Sequence, residues 1–153
     1  MKDLLLLLLA ITVIFSSCER EEEILNITES FSCQIEGLNF GDATINTGNS
    51  SGNVSIEADD GTHNIVIKIL SINSKSSGDV IPFSSPSLAF IIIGNTTYSN
   101  TYFDSTKGEI TITNLDLSVG VISGTFFFEA QDVTPNEFAT VNVSEGEFLN
   151  ISF

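Results

Sequence analysis

The side chains able to do chemistry are few and scattered. The 153 residues hold one histidine, His63, and two cysteines, Cys18 and Cys33. A catalytic thiol needs a base beside it, and a Ser-His-Asp arrangement needs an imidazole, so either would have to recruit His63. Cys33 lies in Phe31-Ser32-Cys33-Gln34-Ile35, which alternates as a strand does. Its expected role is a small buried hydrophobe. His63 follows Asp60-Gly61 and is expected as a solvated residue at a strand start. Glu57, Asp59 and Asp60 surround that turn and carry the oxygen chemistry of a Ca²⁺ site, which takes about 6–8 such ligands. The ordinary reading is a solvated hairpin tip that uses Asp for its turn preference. Zinc needs more Cys and His ligands than the chain supplies, and glycine-rich nucleotide loops are absent. No catalytic residue, metal or cofactor is expected. A hydrolase working through scattered carboxylates ranks last, because every acidic strand-rich chain offers such pairs.

One segment has the composition of a binding face. Tyr98, Asn100 and Tyr102 share parity in a predicted strand, with Asn95 and Phe103 close by. Aromatic rings and amides can stack on sugars or make polar contacts at an interface.

The amino terminus carries a different chemistry. Lys2 precedes an apolar run of twelve residues, Leu4 to Phe15, and Ser16-Ser17-Cys18 follows. A spanning helix needs about 20 residues, so the run is too short to cross and reads as a signal peptide over 1–17. The junction is similar to the lipobox of bacterial lipoproteins, with Phe15 where Leu is usual. That resemblance implies cleavage before Cys18 and acylation of its thiol and new amino group. The alternative is an ordinary signal peptide in which Cys18 is incidental. Glu19, Glu21, Glu22 and Glu23 follow directly. Such a run cannot bury itself, so 18–26 is expected to be a solvated tether. It also resembles the acidic surface-export signal of many Bacteroidetes lipoproteins.

Without residues 1–17 the chain has 136 residues, with 4 basic against 19 acidic. That is enough for one domain, expected over 27–153. The deficit of Lys and Arg argues against nucleic acid. With Cys18 lipidated, Cys33 has no disulfide partner.

The domain reads as short apolar alternations broken by Gly, Asn, Asp and Ser. Strands are expected near 31–36, 42–46, 53–58, 63–72, 88–94, 97–103, 108–115, 119–130, 138–144 and 147–153. Asp60-Gly61 is the strongest hairpin cue, and Glu145-Gly146 is expected to turn the chain in the same way. Pro82 and Pro86 mark an irregular crossing between 74 and 87. Ile65, Ile67 and Ile69 share a core face, as do Ile122, Phe126, Phe128 and Ala130, with Phe127 opposite. Residues 88–93 are apolar on both faces and predict a central, doubly covered strand. The fold class is all-β: an antiparallel β-sandwich of about 8–10 short strands, with a closed antiparallel barrel as the alternative.

The stretches Gly108-Glu109-Ile110-Thr111-Ile112-Thr113, Gly124-Thr125-Phe126-Phe127-Phe128-Glu129-Ala130 and Ser144-Glu145-Gly146-Glu147-Phe148 resemble a family of small uncharacterised Bacteroidetes lipoproteins. The resemblance implies location and fold class, and no activity. In that context Asp104-Ser105-Thr106 is similar to a short O-glycosylation motif, with Ser105 expected to be exposed after a strand. The expected partners are a membrane, through the N-terminal lipid, and a glycan or an envelope protein. The expected location is the outer membrane, at the cell surface.

Overall fold

The computed structural model describes residues 28–83, 88–94, 101–133 and 139–153, with the backbone alone at 101–103. Ten strands form one antiparallel sheet: β1 (Ser30–Ile35), β2 (Leu38–Asn39), β3 (Thr44–Ser50), β4 (Asn53–Asp59), β5 (His63–Ile69), β6 (Val80–Pro82), β7 (Ala89–Ile93), β8 (Thr101–Asp116), β9 (Val121–Asp132) and β10 (Thr140–Ser152). The spatial order is β2-β1-β10-β9-β8-β7-β5-β4-β3, and β6 pairs with β8 beyond the β7 segment. The sheet curls into a half-barrel, which gives it both the facing layers of a sandwich and the curvature of a barrel.

Local chemistry sets the turns. Glu36-Gly37 and Ser51-Gly52 both have positive φ at each residue. They close the β1–β2 and β3–β4 hairpins as two-residue loops whose twist matches that of the strands. Asp60 closes the β4–β5 hairpin, accepting hydrogen bonds at Oδ1 from the Thr62 and His63 backbone N–H groups.

The core follows the period of two. Ile56, Ala58, Ile65, Ile67, Ile69, Ile91, Ile110, Ile112 and Ile122 are completely buried or nearly so. Each such side chain contributes about 1.5–3 kcal/mol when removed from water. Phenylalanines link the layers. Phe31 on β1 packs on Phe126 of β9 at 5.2 Å between ring centres and on Phe40 at 5.9 Å. Phe40 in turn meets the edge of His63 on β5. Residues 40–43 therefore carry the chain from one border of the sheet, β2, to the other, β3. A segment that short spans at most about 18 Å, so it ties the two borders together.

Four expectations are corrected. Glu145-Gly146 does not turn the chain: β10 runs straight through it with a bulge, and its register to β9 shifts between Val143 and Gly146. Lys107-Gly108 does not turn the chain either: both residues pair with β9, at Glu129 and Phe128, just after a register shift between Ser105 and Lys107, so the strand expected at 108–115 and the described end, 101–103, of the one expected at 97–103 belong to the single strand β8. A bulge uses the same positive-φ and glycine chemistry as a turn, but its neighbours keep pairing. The strand at 88–93 is central, between β5 and β8, yet only one face is fully buried: Ala89 and Ile91 are at 0 % exposure, whereas Phe90 and Ile92 are partly exposed. Finally, Pro82 ends the three-residue edge strand β6 rather than lying in an irregular crossing; Pro86 lies outside the described residues.

Candidate functional site

The histidine and the acidic residues come together at the β4–β5 hairpin. His63 Nδ1 lies 3.1 Å from Asp60 Oδ2. Burial opposes ionisation of Asp60, but hydrogen bonds from the His63 and Thr62 backbone and from the imidazole outweigh it, so its carboxyl stays below the ordinary value. Asp59 Oδ1 accepts from the Gly61 N–H, and Glu57 Oε1 from the Asn64 amide. All three carboxylates thus serve the hairpin itself. Among the described residues no group of three His, Cys, Asp or Glu side chains could hold a metal ion.

Cys33 is a core residue. It is 5 % exposed and has no disulfide partner among the described residues. Burial first, and the charge of Asp60 second, push its thiol up to about 12. A reactive cysteine needs the opposite environment, one that favours thiolate.

Ser105 is not exposed. It sits inside β8 at 6 % exposure, with its Oγ 3.4 Å from the Ala89 backbone N–H that it accepts from. The strand continues through the position where it was expected to end, so a side chain expected at a strand terminus is instead packed against β7. The folded sheet leaves no room for a glycan there.

Cys18, Glu19, Glu21, Glu22 and Glu23 lie outside the described residues, as do Tyr98 and Asn100. Tyr102 pairs with Ile92 between β8 and β7, and its side chain is outside the description.

The outer face of β8, β9 and β10 presents a different candidate. Phe127 stands there 51 % exposed, although its neighbours Phe126 and Phe128 are buried. Glu109 lies directly across from it on β8, and Thr125 pairs with both Thr111 and Glu147. Two shallow depressions of about 470 Å³ flank the ring. One is bordered by Thr111, Glu145 and Glu147, the other by Lys107, Glu129 and Asn142, and both share Glu109. Lys107 Nζ is 2.9 Å from Glu129 Oε2, and Glu145 accepts from the Gln34 amide at 2.8 Å. An aromatic surface edged by carboxylates can hold apolar contact at its centre and accept hydrogen bonds at its rim.

The strands that carry this face, β8, β9 and β10, fall within residues 28–152, which match the family model described as Domain of unknown function (DUF6252). The chain belongs to the DUF6252 family. The match covers all ten strands, so the DUF6252 region and the half-barrel coincide. No curated protein and no solved structure matches the chain.

Sequence reasoning placed Phe127 on the face away from the core but did not make it a site. The signal was present: in Phe126-Phe127-Phe128 the period of two must send one ring outwards.

Proposed function

We propose that this DUF6252 protein is a noncatalytic binding or accessory module, lipidated at Cys18 and held at the surface of a bacterial outer membrane. The leader, the Ser16-Ser17-Cys18 junction and the acidic run after it support the anchoring. Their resemblance to Bacteroidetes lipoproteins supports the source and the outward orientation. The observation that carries the binding role is Phe127, an exposed ring rimmed by Glu109, Glu147 and Glu129. A glycan would lay its C–H face on the ring and donate hydroxyls to the carboxylates; a peptide or protein would bring cationic or amide donors. In a chain of net charge −15, an anionic ligand is disfavoured.

The test is saturable binding of the full chain in detergent to glycan and peptide arrays, with Phe127→Ser as the comparison. Loss of a wild-type signal in that variant supports the module. Binding that survives the substitution, or none at all, moves the reading to a structural envelope protein without a ligand. That second reading has its own support in the outer edge of β3, which pairs with no strand among the described residues.

A further inference from the structure

We propose that β3 is a self-association edge, at which two copies of this chain pair their β3 strands antiparallel about Thr47. Among the described residues β3 ends the sheet, with β4 on one side and no strand on the other. Its seven residues pair with β4 without a register shift. Six of them are exposed, and only Ile45 is half-buried against the core.

The hydrogen-bond phase identifies the free groups. Ser51-Gly52 is a two-residue loop, so the flanking pair Ser50 and Asn53 is of the hydrogen-bonded kind, and such pairs alternate along the ladder. The Asp60 N–H bond to the His63 carbonyl sets the same phase from the far end of β4. Thr44, Asn46, Gly48 and Ser50 therefore bond to β4. Ile45, Thr47 and Asn49 aim their N–H and C=O groups away from the sheet. Two β3 strands related by a two-fold at Thr47 would place Thr47 opposite its counterpart and Ile45 opposite Asn49. That register satisfies both groups of all three residues.

Charge selects a second copy as the occupant. Twenty acidic residues are spread over the chain, yet residues 43–56 contain no charged side chain. A two-fold sets like against like, so in a chain of net charge −15 only an uncharged edge can face itself without repulsion. Other exposed edges are commonly protected by Lys, Pro or a bulge; β3 has none of these.

The experiment uses the full chain in detergent micelles. Sedimentation velocity should show a monomer–dimer equilibrium that shifts towards dimer as salt screens the net charge. Thr47→Pro removes one outward N–H without removing a bond to β4, and should weaken the dimer by about tenfold or more. Thr47→Lys should do the same while keeping the N–H, so weakening in both variants is not a folding defect. In membranes, a short bis-maleimide should cross-link the Thr47→Cys variant at twice the monomer mass. It should not cross-link Ser118→Cys, on the β8–β9 turn, above the wild-type background. A wild-type chain that is monomeric at all concentrations and salts overturns the proposal. So does a dimer that persists in both Thr47 variants, which would locate the contact elsewhere.

Discussion

Phe148 on β10 lies directly across from Gly124 on β9, and its ring occupies the space a side chain at Gly124 would need. A methyl there would sit 2.5 Å from Phe148 Cζ and 2.7 Å from the Thr111 carbonyl oxygen. The arrangement is reciprocal, since Phe126 on β9 faces Gly146 on β10. It recurs one strand over, where Phe128 faces Gly108 on β8. Gly124 and Gly146 each let a neighbouring ring lie down across the ladder, and the rings of Phe126 and Phe148 stack at 6.3 Å, whereas Gly108 admits the close approach of the Phe127–Phe128 backbone.

Gly124→Ala and Gly146→Ala are expected to lose about 1–3 kcal/mol each through overpacking. At Gly146 the added carbon would meet the Phe126 carbonyl oxygen at 2.5 Å. Urea denaturation checks this, with Gly48→Ala, in open space on β3, as the control expected to change least. Equal midpoints for all three variants would refute the packing account.

Asp60 gives the fold an acid dependence of definite sign. Its carboxyl is held below the ordinary value of 3.8, so the native state favours the ionised form. The stabilisation is complete above the unfolded value and is lost as pH falls through the lower native one. The stability gap between wild type and Asp60→Asn should be constant above about pH 5 and narrow below about pH 4. A gap that widens on acidification would contradict the hydrogen-bond assignment.

Cys33 should behave in the opposite sense. Its thiol is raised from 9.0 to about 12 by burial, so the native state favours the protonated form. That contribution is complete below pH 9 and is lost as pH rises towards about 12. At pH 8 the native thiol should resist maleimide and react once denaturant unfolds the sheet. Rapid labelling of the native protein at Cys33 would show that β1 opens far more readily than its packing implies.

Phe127→Ser should leave the unfolding free energy from urea denaturation within about 0.5 kcal/mol of wild type, because the ring is half in water. Phe126→Ser and Phe128→Ser, one position away on the buried face, should unfold the domain. Similar losses at all three positions would mean that the outer face is covered in solution.

Cys18→Ala should abolish fatty-acid labelling and leave an unprocessed precursor. Neutralising Glu21, Glu22 and Glu23 should shield the chain from protease added to intact cells. Normal processing of the first variant would exclude lipidation as the anchor.

The pleat made the core legible before the structure: Ile65, Ile67, Ile69, Ile110, Ile112, Phe126 and Phe128 are all buried as their alternation requires. Strand continuity was harder to read. Lys107-Gly108 and Glu145-Gly146 carry the residue chemistry of turns, and only the partner strand β9, which pairs with Lys107 and Gly108 and on both sides of the Glu145 bulge, shows that the chain runs on. That information is non-local. The same limit applied to Ser105, whose exposure depended on whether its strand stopped. It also hid β2, because two residues are too few to show a period. Phe127 was legible as outward-facing, but its carboxylate rim arises from three strands whose register no single segment encodes.

Strand β1, next to the border strand β2, has its main partner in β10: Phe31 meets Phe148 and Ser30 meets Leu149, so the first strand of the sheet pairs with the last. Contacts of such sequence separation slow folding, since the closure entropy of nearly the whole domain precedes any return. A chain emerging from its amino end must hold Phe31 and Cys33 without the β10 strand that covers them until its final dozen residues arrive. It therefore stays open during synthesis. For the exported lipoprotein proposed above, that delay would keep the chain threadable until it has crossed.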